Sequence, residues 1–295
     1  MSDSSSTWLR RTAVALGAGA AAGTAAVAIA TRRWTSETER LLDVLSESAP
    51  AAPQRVDFAS LSAVPPPVQR YFRTVLKDGQ PHIAEAIIEQ SGEFRSKESD
   101  DPESGWQPFS ATQGFATWPH GFVWDARIRM GPVGAVWVRD SYLARRASMV
   151  GAIMGTIPVV NEPDTPDLRA GALQRYLAES VWFPTALLPE SGIRWTAVDD
   201  SHARADLTEG ATTVSLDFEF GDDGRILSAY TQGRRRADPQ NKSRYRTLPW
   251  GGRYHRYEQQ NGMLVPLESE VYWIVDGREQ PYYRGKNVRI EYRLR

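Results

Sequence analysis

The chain contains no cysteine. Disulfides, thiolate nucleophiles and cysteine-based zinc sites are therefore excluded. Histidine is scarce: His82, His120, His202 and His255 are all there is. None stands at a ligand spacing from another, and no HExxH pattern occurs, so the sequence gives no metal site and the four read as turn or surface residues. The Gly-x-Ser-x-Gly elbow and the glycine-rich phosphate loops are missing too. An excess of one charge is also lacking. Lys plus Arg number 35 against 36 for Asp plus Glu. Without a basic field, nucleic acid is not an expected partner.

What is present begins with an address. Arg10–Arg11 precede an uncharged run from Thr12 to Thr31, and Arg32–Arg33 follow it. A charged segment before an apolar one is a targeting pattern. Two readings stay open. In one, residues 1–33 are a retained single membrane anchor, since a helix of that run spans roughly 30 Å. In the other, they are a cleaved twin-arginine-type export signal, with Ala28–Ala30 as the small-x-small site. The expected location is accordingly the cell membrane or beyond it. Residues 34–55 read as a short amphipathic helix, with Leu41, Leu42 and Leu45 as its stripe, and a Pro/Ala linker over residues 49–54. A single β-rich domain is expected over residues 56–295.

Within that domain the first element is helical. Pro65–Pro81 places Val68, Tyr71, Phe72, Val75 and Leu76 at helical spacing, with prolines in the first turn, Lys77 in the last turn and Gly79 as the stop. From His82 the period becomes two. Phe122, Trp124, Ala126, Ile128 and Met130 alternate with Val123, Asp125, Arg127 and Arg129. Val214, Leu216, Phe218 and Phe220 alternate with Ser215, Asp217 and Glu219, and the C-terminal Asn287–Arg295 alternates likewise. This predicts antiparallel strands with one dry face, about ten to twelve of them. Asp223–Gly224 and Asn261–Gly262 mark hairpin turns. One helix, Pro166–Pro184, interrupts the strands. It ends in Val181, Trp182 and Phe183 before two prolines. Its apolar face, with Leu173, Tyr176 and Leu177, is suited to covering a concave sheet. The fold class is α+β: a large curved antiparallel sheet or incomplete barrel covered by this central helix and the N-terminal one.

Taken in order, PPPVQRYFRTVLKDGQP, GFVWDARIRM, LQRYLAESVWFPTALLP, WTAVDDSHARADL and LPWGGRYHRYEQQNGMLVP resemble a bacterial family known only as a domain of unknown function, number six-five-four-four. The resemblance spans residues 60 to 295. It implies no reaction, cofactor or catalytic residue. It does imply an N-terminal membrane segment, which many members carry. The strand-rich chain with a covering helix also looks like the lipoprotein-carrier fold, an incomplete β-barrel around an apolar cavity.

Three functions follow as alternatives. The first is a binding domain that takes an apolar or amphipathic ligand, such as a lipid, in a helix-covered cavity lined by Trp124, Trp137, Tyr176, Glu179, Trp182, Phe183 and Phe218. It needs no cofactor. The second is an enzyme with acid–base groups among Glu179, Asp125, Asp199 and His255. The third is an envelope protein with a solid core and no ligand. The run Asp199–Asp200–Ser201–His202 holds triad residue types, but the same letters make a turn. Arg234–Arg236 with Lys242, Arg244 and Arg246 form a basic patch, read as a solvated strand face or loop, with anionic lipid headgroups as the functional alternative.

Overall fold

Thirteen strands follow one another in a single antiparallel sheet, as a computed structural model shows. It describes residues 4–47, 54–96, 98–99, 101, 103–131, 134–238 and 245–295, with side chains from residue 25 onward. The first six strands are β1 (Ile83–Phe94), β2 (Gln107–Thr117), β3 (His120–Met130), β4 (Gly134–Leu143), β5 (Arg146–Ile153) and β6 (Ile157–Glu162). The other seven are β7 (Ile193–Ala197), β8 (His202–Glu209), β9 (Thr212–Phe220), β10 (Ile226–Ala237), β11 (Tyr245–Gln260), β12 (Met263–Val275) and β13 (Arg278–Leu294). Each half is a meander. The halves join where the first strand pairs with the last, Ile88 opposite Ile290. The sheet curls into a half-barrel whose free edges are β6 and β7.

The alternation read from the sequence has its physical basis here. Phe122, Trp124, Val214, Leu216, Phe218 and Ile290 all enter one concave core, and Asp217 points away to pair with Arg204 at 2.7 Å. Asn261 and Gly262 both take positive φ, at 51° and 84°, as a two-residue hairpin turn requires. The β4–β5 turn does the same with Ala144 and Arg145, φ 48° and 63°, residues that give no turn signal. The strand count therefore exceeds the expected ten to twelve.

Three helices complete the fold: α1 (Ser4–Glu47), α2 (Pro66–Val75) and α3 (Pro166–Glu179). The second stops one turn earlier than its spacing suggests, so Arg73 rather than Lys77 occupies its last turn. Pro166 and the Thr165 hydroxyl, which accepts from the Leu168 N–H at 3.1 Å, start α3. It lies in the concavity with Leu173, Tyr176 and Leu177 fully buried. After Glu179 the chain tightens into three 3-10 turns ending at Ser191. These seat Trp182 and Phe183 on Phe115, with ring centroids 6.2 and 4.5 Å away.

The first helix runs on without a break through residue 33 and rests on the convex face. Trp34 donates to Asp125 Oδ1 at 2.8 Å, and Thr38 donates to Asp125 Oδ2 at 3.0 Å. Arg139 donates to the Trp34 carbonyl at 3.1 Å and lies 4.7 Å from its ring. Leu42 packs directly over Gly114, where a Cβ would stand 2.5 Å from its methyl and a larger side chain would crowd Leu42 and Leu45. Among the described residues no helix is long and apolar enough to cross a membrane. The linker proposed over residues 49–54 lies almost wholly outside the described residues.

Gly114→Val should therefore lift the 34–47 segment off the sheet and leave the concave core intact. Limited trypsin digestion should cut after Arg40 faster in the variant, while the melting temperature falls by only a few degrees. Equal cleavage rates would mean that the segment is not held by this contact.

Candidate functional site

The central helix and the 3-10 run fill only part of the concavity. Beside them lies a cavity of about 770 Å³. One wall comes from the inward residues of β3 to β6, namely Ile128, Val136, Val138, Met149 and Val160. Other walls carry Phe94, Val271 and Tyr283, and Arg234, Trp250 and Tyr254. Ala178, Glu179 and Trp182 form the floor, and Met130 and Gly131 are exposed at the mouth. Pockets of roughly 300–1,000 Å³ with mainly apolar walls and few polar groups are typical of small-molecule sites.

The floor is held by a buried polar network. Arg175 Nε donates to Glu179 Oε1 at 2.8 Å, and its Nη1 donates to Asp140 Oδ2 at 2.7 Å. Gln113 donates to Glu179 Oε2 at 2.8 Å. The guanidinium of Arg175 stands 5.0 Å from the Phe122 ring and 4.9 Å from that of Trp124. Trp124 Nε1 donates to Gln90 Oε1 at 3.0 Å, and Gln90 donates on to Asn287 at 3.1 Å. The pair Arg175–Glu179, one turn apart on α3, is thus interior. Burial raises the pKa of Glu179, outweighing the opposing effects of Arg175 and Gln113.

Trp124, Glu179 and Trp182 of the expected set line the cavity. The other four do not. Trp137 is on the outward phase of β4 and packs on Trp34 of the first helix, ring centroids 5.8 Å apart. Tyr176 and Phe183 are embedded in solid packing around Phe115, and Phe218 packs against Trp195 at 5.4 Å. Their high burial comes from side chains and not from space for a ligand. The acid–base set does not assemble either. Asp125 anchors the first helix, Asp199 sits in the β7–β8 turn, and His255 is exposed on β11.

The Ser201–His202–Asp199 cluster is a turn. Asp199 Oδ1 accepts from the backbone N–H groups of Ser201 and His202, both at 2.8 Å. Ser201 Oγ and Asp199 both lie against the same ring nitrogen, His202 Nδ1, at 3.0 and 2.9 Å. A catalytic triad needs one partner on each ring nitrogen. Two histidines depart from the surface expectation, since His82 and His120 are each 2% exposed. His120 is clamped between Glu209 at 2.5 Å and the Ser191 carbonyl at 2.8 Å, which ties β3 to β8 and the 3-10 run. Among the described residues no group of three His, Asp or Glu could hold a metal ion.

Sequence reasoning missed Asp140, and it put Arg234 in a basic patch on a strand face or loop rather than in the cavity. The first was readable: it shares the inward phase of β4 with Val136, Val138 and Tyr142. The second was not. A bulge between Thr231 and Arg234 adds one residue to β10, so the inward phase passes from Thr231, opposite Trp250, to Arg234, opposite Leu248. Of the expected basic patch, Arg234 thus turns into the cavity. Arg235 pairs with Asp167 at 3.1 Å and Arg236 with Glu98 at 2.7 Å, while Lys242 and Arg244 fall outside the described residues.

The raised pKa of Glu179 has a measurable sign. The folded chain binds this proton more readily than the unfolded chain. Ionisation therefore costs stability above the raised pKa, and the cost fades as pH falls toward the unfolded value near ~4.3. Glu179→Gln should melt at or above the wild-type temperature at pH 7.5. The difference should shift in favour of wild type as pH falls to 4.5. Gln113, whose Oε1 is buried without a partner, can turn to accept from the new amide. A variant-to-wild-type difference that stays constant from pH 4.5 to 8 would contradict this.

No curated protein matches the chain. Among solved structures, the chain is similar to the crystal structure of a LolA superfamily protein from Nitrosomonas europaea. That likeness has 10% identity and a TM-score of 0.35, covering 81% of this chain and 94% of the other. A family described as of unknown function matches residues 62–292, and its number, 6920, differs from the one given by the sequence resemblance. With the match running from just before the second helix to the last strand, the chain belongs to the family of unknown function DUF6920.

Proposed function

We propose that the domain binds an apolar or amphipathic ligand, such as a lipid, in the cavity beside α3 and does no chemistry on it. The observation that carries this reading is the cavity itself: about 770 Å³, walled by Ile128, Val136, Val138 and Val160 with aromatic rings across from them. Each methylene moved from water into such a space gains about 0.8 kcal/mol. A scaffold with no ligand would instead fill the volume with side chains, because empty apolar space costs stability. An acid–base enzyme would need titratable groups free to act in the cavity. Glu179 and Asp140 are both committed to Arg175, and the other candidates lie elsewhere in the fold.

The proposal includes a membrane role for the N-terminal segment, as anchor or as export signal. The uncharged run between Arg10–Arg11 and Arg32–Arg33 supports it.

Two outcomes are expected. Purified wild-type protein should bind the neutral apolar dye N-phenyl-1-naphthylamine with a rise in dye fluorescence. Val138→Trp, which fills the cavity from β4, should weaken that binding at least tenfold with an unchanged or higher melting temperature. Failure of the wild type to bind the dye would count against the reading. In cell fractionation the full chain should partition with membranes or be exported, and the chain starting at Trp34 should be soluble and folded. Aggregation of the shortened chain would show that the leading segment belongs to the core.

A further inference from the structure

Five charged side chains line the cavity: Asp140, Arg175, Glu179, Arg234 and Glu270. Four are matched within the chain. Arg175 holds Asp140 and Glu179 at 2.7 and 2.8 Å. Glu270 accepts from Arg284 at 3.0 Å and faces Arg253 at 3.5 Å. Arg234 is the exception. Among the described residues no carboxylate stands within ion-pair distance of it, and its Nη1 is buried with no hydrogen-bond partner. Its guanidinium carbon lies 4.2 Å from the centre of the Trp250 ring and 5.6 Å from that of Trp273.

Stacking on two indoles recovers only part of the hydration that a buried guanidinium loses. Burial indeed pushes Arg234 below the usual arginine range. Arg175 adds to this, while Tyr282, Asp140 and Glu179 oppose it. The chain supplies no close counter-charge, although it supplies one to every other charged group of the cavity. Arginine's planar fork of donors fits a carboxylate or phosphate. The wall from β3 to β6 fits an alkyl chain.

Building on the binding reading above, we infer that the ligand is a single-chain amphiphile with an anionic head, carboxylate or phosphate. The head pairs with Arg234 on the cavity side of Trp250, and the tail lies along Ile128, Val136, Val138 and Val160. The bulge in β10 is then the feature that creates head recognition, because without it Gly233 would take the inward position.

The test uses full-length protein and displacement of N-phenyl-1-naphthylamine by hexadecanoate, hexadecyl phosphate, hexadecan-1-ol and inorganic phosphate. Both anionic amphiphiles should displace the dye at concentrations about tenfold or more below the alcohol. The tighter of the two identifies the head. Inorganic phosphate alone should displace nothing in the millimolar range. Arg234→Met should bring both anions to the affinity of the alcohol, with alcohol binding changed less than about threefold. Equal displacement by acid and alcohol in the wild type would overturn the inference, as would a preference that survives in Arg234→Met. So would inorganic phosphate binding as tightly as hexadecyl phosphate. Those outcomes leave the binding reading standing. No displacement by any amphiphile would instead remove that reading itself. The wild-type ratios decide the matter even where the variant is poorly folded.

Discussion

An antiparallel sheet that curls without closing has one continuous apolar face and two free edges, and the rest of this molecule answers to that. The concave face must be covered, and α2, α3 and the 3-10 run from Ser180 to Ser191 cover it. The edges are managed by shortness. β6 has six residues, one of them Pro158, and β7 has five, so neither offers a long template for pairing with another chain. Seen this way, the cavity is a packing consequence. A straight helix of fourteen residues cannot follow the curvature of thirteen strands. The chain solves one side of the mismatch with Tyr176, Trp182 and Phe183 around Phe115 and leaves the other side open.

The polar groups on the concave face fall into two kinds. Gln90, Gln113, Asp140, Arg175, Glu179 and Asn287 satisfy one another almost completely, which allows them to lie under a helix at little cost. They fix the position of α3 against β2 and β4 and keep the floor of the cavity rigid. Arg234 belongs to the second kind. It is held by rings, and its Nη1 is buried without a hydrogen-bond partner. The ligand selectivity proposed above rests on this contrast between an internally balanced floor and one unbalanced cation on the wall.

The convex face has its own logic. Arg127 and Arg139 alternate outward on β3 and β4 beside Trp137, and Asp125 stands among them. Trp34 and Thr38 of α1 close over this group. The outward side chains of β3 and β4 are thus a seat for the helix that leads into the domain.

The sequence by itself determined which faces are dry. Period-two alternation in β3, β9 and β13 assigned Phe122, Trp124, Leu216 and Ile290 to one side, because successive strand residues point oppositely whatever the fold around them. It also determined that the helix of Leu173, Tyr176 and Leu177 covers something, since a face that apolar is not stable in water. The tertiary structure alone decided which buried aromatics meet space and which meet other side chains. Trp124 and Phe218 both alternate inward, yet one borders the cavity and the other packs against Trp195, because the central helix and the 3-10 run fill only part of the concavity. It alone decided where the charges go. Arg175 and Glu179 become interior only when α3 is laid against Asp140 and Gln113, some 35 and 66 residues away in the chain. Arg234 becomes interior only because one extra residue in β10 reverses its side, a shift fixed by pairing with β11 and invisible to a reading that follows one strand at a time.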